Sequence, residues 1–347
     1  MSRLRLHVDR HQLRSRHDGR SRARVVGQGQ KRREVLRSDL VTQTIELTAG
    51  AARVGLLQEL GGSISAFTLD GRAILRSTPG EALAGSNVRL TSLYPLVPYS
   101  NRIRGASLTF AGRRIPLRRN FGTSPHAIHG VGWQRAWAVQ AATSTSATLT
   151  LAHGAHGDDS SAWPWPFRAV QAFDLASSDP HRALLTATLT IENAGDAAFP
   201  FGLGWHPFFP RDSTTTLQFA AAGIWINDTA EMPAERLDAI DEWSFKEPRA
   251  FGDSTIDNLF TEWNGVAVLA SAQRNLVTTI EADSSCDRLV VYAPAGRDFI
   301  AVEPVTHETD AFNRTATGAK GTGMRVLAPG AAYSCTMRIA ASFKEPR

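Results

Sequence analysis

Residues 201–210, FGLGWHPFFP, set one imidazole, His206, among Trp205, Pro207, Phe208 and Phe209. Residues 299–312, FIAVEPVTHETDAF, place Glu303 on the same strand face as Phe299 and Ala301. A carboxylate facing a core must be paired, protonated or put to use, and an imidazole in dry surroundings has few partners. Such groups are capable of general acid–base proton transfer. An ordinary buried salt bridge would satisfy Glu303 equally well. Asn101 and Arg102 follow the apolar, Pro-rich run LYPLVPYS, where Arg102 could neutralise a buried carboxylate. Asp257, in TIDNLFTEWNG, precedes an apolar run and is open to reading as a turn-forming residue.

Other chemistries find little support. His126 and His129 in SPHAIHGVGW have a spacing that would suit a metal on a helix, but Pro125 and Gly130 place them in a loop or strand, where residues three apart point to opposite faces. No metal site is expected. His153, His156 and His181 read as solvent-exposed loop residues. The segment GAKGTG lacks phosphate-loop spacing, and no G-x-S-x-G elbow occurs. Cys286 and Cys335 give neither a disulfide framework nor a metal cluster, and they read as buried apolar groups of a reduced compartment.

The elements that must carry these residues are strands. Gly and Pro are plentiful, 28 and 17 in 347 residues, and apolar runs are short. In ALLTATLTIEN, Leu185, Ala187, Leu189 and Ile191 alternate with Thr and Glu, the period of a half-buried strand. Asp70-Gly71 in FTLDGRAIL marks a hairpin, and LTFAGRRIPL repeats the arrangement around Gly112. TLTLAH, RLVVYAP and FIAVEPV are further strands, and only AERLDAIDEWSF, residues 234–245, looks like a short helix. Strands in this number make a sandwich or barrel, and residues 41–347 are expected to form a single domain.

The charge of +5 is unevenly placed: the first 40 residues carry twelve Lys or Arg against four Asp or Glu, the rest 26 against 29. The Arg-rich segment 1–40 lacks the interleaved aromatics of a nucleic-acid-binding arm and reads as disordered; Asp9, Asp18 and Glu34 argue against a transit peptide. Without a transmembrane-length apolar run, the expectation is a cytoplasmic protein with no membrane partner.

Six segments, taken in order, resemble the aldose 1-epimerase (galactose mutarotase) family: ELGGSISAFTLDG, PLVPYSNRIRG, HAIHGVGW, GLGWHPFFP, IDNLFTEWNG and VEPVTHETDAFN. The resemblance covers roughly residues 41–341. It implies an all-β fold, a large antiparallel β-sandwich, and exchange of the α and β anomers of a free sugar without a cofactor. By motif, Glu303 matches the family's general base and His206 its general acid, while Arg102, His129, Asp257 and Asn101 fall where the sugar is bound. Val131 after His129-Gly130, and Phe208-Phe209-Pro210 after His206-Pro207, depart from the galactose enzymes. PLVPYSNRI and EPVTHETDAF are closer to a bacterial branch whose sugar is undefined.

Anomer exchange needs a base and an acid at one acetal carbon. The expected roles are Glu303 as carboxylate and His206 as imidazolium, each helping to keep the other ionised. The partner is a small aldose; the sequence sets no oligomeric state. Trp205, Trp263, Trp133 and Trp163 are candidates to stack on the sugar, although core packing explains each. Two alternatives remain: a carbohydrate-binding protein without turnover, and a hexose 6-phosphate mutarotase drawing on Arg104, Arg113 or Arg314.

Overall fold

The computed structural model describes residues 44–251 and 255–343, all within the unit Val41–Arg347. The Arg-rich segment 1–40 lies outside the described residues. The architecture is an antiparallel β-sandwich of two large sheets, as the alternating sequence predicts. One sheet runs in the order Ile45–Ala49, Ala52–Leu57, Ser63–Leu69, Leu93–Leu96, Gly204–Pro210, Phe299–Val305, Arg288–Ala293, Ile256–Thr261, Gly223–Asn227 and Pro233–Asp238. The facing sheet runs Ala138–Ala142, Ser146–His153, Phe167–Asp179, Arg182–Asn193, Ala332–Phe343, Leu276–Ala282, Val266–Ser271, Thr215–Phe219 and Arg249–Ala250.

The strand Arg182–Asn193 buries every second residue, Ala183 to Asn193, because its other face is solvated. Asp70 and Gly71 both take positive φ, 51° and 71°, between Ser63–Leu69 and Arg72–Ala73, the geometry that a two-residue hairpin requires. Both cysteines are buried and free.

The central strands of the first sheet separate two apolar clusters by the same alternation. Trp205, Phe209, Ile300, Val302, Leu289 and Val291 point into the inter-sheet core. Tyr94, Phe208, Phe299, Ala301, Val290 and Leu259 form a second cluster on the outer face. His206 and Glu303 share the parity of Phe208 and Ala301, so they project outward from the middle of the sheet. The aromatic neighbours that make residues 201–210 look dry thus split between two faces.

Two expectations need correction. Residues 234–245 are not a helix: Pro233–Asp238 is a strand paired with Gly223–Asn227, followed by a single 3-10 turn at Asp241–Trp243. Pairing with an available sheet edge outweighs weak helix propensity. His153 is buried rather than exposed, because it ends the strand Ser146–His153, where Ala147, Leu149 and Leu151 also turn inward. Its Nε2–H donates to the Trp163 carbonyl at 2.8 Å, and its ring stacks on Phe167. His156 is exposed and His181 partly so.

Candidate active site

Four segments far apart in sequence meet at the centre of the first sheet. Gly204 pairs with Val305 and Phe208 with Ala301, so His206 stands across from Glu303 between them. His206 Nε2 lies 3.1 Å from Glu303 Oε1, and both residues are buried. On its other side His206 pairs with Tyr94, whose ring centroid is 4.6 Å from the imidazole. Asp257 projects from Ile256–Thr261 on the same face, opposite Tyr292.

These residues line one cavity of about 430 Å³, of a size suited to a small molecule. All six residues singled out in the sequence border it: His206, Glu303, Arg102, His129, Asp257 and Asn101. The structure adds Glu231, which pairs with Arg102 at 2.8 Å, while Asp257 lies 3.5 Å from the same guanidinium. Nothing in the local sequence around Glu231 marks it. None of the four candidate tryptophans lines the cavity; its aromatic walls are Tyr94, Phe121, Phe208, Tyr292 and Phe299.

Burial sets the proton positions. Desolvation pushes the Glu303 carboxyl well above its ordinary range, with Asp257 adding to it and Arg102 opposing. Desolvation pushes His206 well below 6.5, reinforced by His129 and Arg76. In the free protein, burial of both groups thus opposes the expected ion pair and favours the neutral carboxylic acid and neutral imidazole, because charge is costly in a dry site. The pair has the same net charge in both forms, which differ only in the atom that holds one proton.

The loop carrying Asn101 and Arg102 is held by imidazoles acting as acceptors. The main-chain N–H of Ser100 donates to His307 Nε2, that of Asn101 to His129 Nδ1 and that of Gly105 to His126 Nδ1, each at 3.0 Å. His307 Nδ1–H donates to the Glu308 carbonyl at 2.7 Å and His126 Nε2–H to the Ala230 carbonyl at 3.1 Å. An accepting nitrogen fixes the tautomer, so a neutral His129 carries its proton on Nε2. Burial lowers His129 to about 3, with Arg102 reinforcing it, and His307 to about 4. Asp310 completes the brace by accepting from the Arg104 N–H at 3.0 Å. His126 and His129 thus brace the loop through its backbone, and among the described residues no group of three or more His, Cys, Asp or Glu is placed to hold a metal ion.

The antiparallel β-sandwich is of the galactose mutarotase-like type, and a buried imidazole–carboxyl pair lies in its small-molecule cavity. The aldose 1-epimerase family profile matches residues 43–340, and the chain belongs to that family. Among its relatives, the uncharacterized protein YphB of Escherichia coli K12 is 28% identical over 291 residues, covering 82% of this chain and 93% of YphB. The crystal structure of an aldose 1-epimerase candidate from Escherichia coli K12 is similar with a TM-score of 0.77 and 26% identity, over 87% of this chain and 99% of that one. Galactose 1-epimerase from Lactobacillus acidophilus NCFM shares the fold at a TM-score of 0.68 and 18% identity, over 87% of this chain and 95% of that one. No helix among the described residues is long and apolar enough to cross a membrane.

Proposed function

We propose that the protein interconverts the α and β anomers of a free aldose, with Glu303 as base and His206 as acid. The observation carrying this reading is the 3.1 Å contact between His206 Nε2 and Glu303 Oε1 inside one cavity. The hydroxyl oxygen and ring oxygen of a hemiacetal are bonded to the same carbon, so the groups that exchange protons with them must be neighbours.

The proton favoured on Glu303 by burial must stand on His206 before Glu303 acts as base. That shift spans the 3.1 Å between His206 Nε2 and Glu303 Oε1 and leaves the net charge unchanged. Sugar hydroxyls supply the hydrogen bonds that the charged forms lack. Glu303 then takes the proton of the anomeric hydroxyl while His206 protonates the ring oxygen; the C1–ring oxygen bond breaks and the carbonyl forms. Rotation about C1–C2 and the reverse transfers close the other anomer. Arg102, His129, Asp257 and Asn101 hold the hydroxyls in register.

Polarimetry on freshly dissolved α-glucose and α-galactose tests the reading. Glu303→Gln and His206→Asn should each lower the rate by about 10² to 10⁴. Unchanged rates in both variants would remove the assignments, and sugar binding without acceleration would leave a binding protein.

A further inference from the structure

The charges around the cavity are unevenly matched. Arg102 is bracketed by Glu231 and Asp257. Arg76, Arg89 and Arg297 also line the cavity, and among the described residues none of them is within ion-pair distance of a carboxylate. Four guanidinium groups thus face three carboxyl groups, and burial holds one of those, Glu303, toward its neutral form.

Arg76 is the informative member. Its guanidinium lies 3.7 Å over the centroid of Phe208 and 4.8 Å from that of Phe299. Phe208 in turn stacks on His206 at 4.4 Å between ring centroids, so a single ring links the cation to the proton-transfer pair. One terminal nitrogen of Arg76 donates to the carbonyls of Arg89 at 3.0 Å and Thr91 at 2.7 Å; its other donors have no partner among the described residues. Burial lowers this guanidinium to about 10, so it is still charged at neutral pH. Asp298 acts on this cation only from beyond ion-pair distance, and a partly buried cation without a close anion is costly unless a ligand supplies one. The neighbouring guanidiniums of Arg297, over Phe299, and Arg89, over Phe121, widen the same positive wall.

Taking the site as a mutarotase site, we propose that its aldose carries an anionic substituent remote from the anomeric carbon, read by Arg76 with support from Arg297 and Arg89. A planar guanidinium suits phosphate, sulfonate and carboxylate oxygens alike. These are not the arginines singled out in the sequence. Arg104 pairs with Asp228 and approaches Asp310, Arg314 pairs with Glu308, Arg113 is exposed on a hairpin, and none of the three lines the cavity.

The test measures anomer exchange by NMR on glucose, galactose, glucose 6-phosphate, a 6-sulfonated glucose, glucuronate and galacturonate. At least one anionic sugar should exceed its neutral parent about tenfold or more in kcat/KM. Arg76→Gln should collapse that ratio, Arg76→Lys restore part of it, and Arg297→Gln, a change of an exposed residue, reduce it. Added salt should shrink it as well. Calorimetric titration of the same sugars into Glu303→Gln protein reads charge preference apart from turnover. Neutral sugars handled as well as all anionic ones would overturn the inference and leave the mutarotase reading standing. Tighter, Arg76-dependent binding of an anionic sugar with no accelerated exchange would support the charge preference and overturn the mutarotase reading. An unaltered ratio in folded Arg76→Gln and Arg297→Gln would also overturn the inference.

Discussion

Asn101 and His129 hold each other by a reciprocal pair of hydrogen bonds: the Asn101 N–H donates to His129 Nδ1, and the His129 N–H donates to the Asn101 carbonyl, each at 3.0 Å. Both residues take positive φ, 56° and 61°, a strained conformation kept by this mutual bonding. The acceptor role of Nδ1 leaves Nε2–H as the donor available to a sugar. His129→Asn, which offers an oxygen near the Nδ1 position, should keep stability within about 1 kcal/mol but lower kcat/KM by roughly tenfold or more. His129→Ala should lose both. Denaturant midpoints and polarimetry on the two variants separate the roles.

The buried pair predicts an uncommon pH profile. Protonating His206 beside an already neutral Glu303 occurs well below 6.5, and removing the last shared proton occurs well above the ordinary carboxylate range. The acid limb of the kcat/KM profile should therefore lie well below 6.5 and the alkaline limb well above the ordinary carboxylate range, with both limbs belonging to the pair. An acid limb centred near 6.5 that vanishes in His206→Asn would contradict it.

Stability should fall in acid for a nameable reason. His129 and His307 have folded-state values of about 3 and about 4, below the ordinary 6.5, so the unfolded chain binds more protons. Their stabilisation is complete above pH 6.5 and is lost as pH falls toward those values, by about 1.4 kcal/mol per pH unit for each group. Glu303, raised by burial, acts in the opposite sense, favouring the fold at low pH. Urea unfolding at pH 7 and pH 5 should show a shallower loss in His307→Asn than in the parent.

Gly202 predicts a coupling. A Cβ there would overlap the ring of His307, whose Nε2 accepts from Ser100. Gly202→Ala should cost about 1–3 kcal/mol and lower activity. Adding His307→Ala should cost less than the two changes summed, because the overlap disappears. Strict additivity in a double-mutant cycle would refute the contact.

The fold was legible where side-chain period alone decides it. Arg182–Asn193 and the Asp70-Gly71 hairpin needed only neighbours in sequence. His206 and Glu303 were also legible, since a charge-bearing group inside an apolar run is conspicuous. Residues 234–245 misled because their partner strand, Gly223–Asn227, has no local signature. His153 misled because the polar run after it concealed the strand register. Arg76, Arg89, Arg297 and Glu231 come from separate segments, and only the folded chain reveals that they share one wall with the pair.

Three imidazoles from two regions of the chain suspend the segment Ser100–Gly105 by its backbone. None of the three lies within a strand of the two large sheets. Acid near pH 3 to 4, where His129 and His307 take up protons, should therefore detach sugar recognition before it melts the sheets, giving a protein whose β-rich circular dichroism is intact while its ligand goes unnoticed.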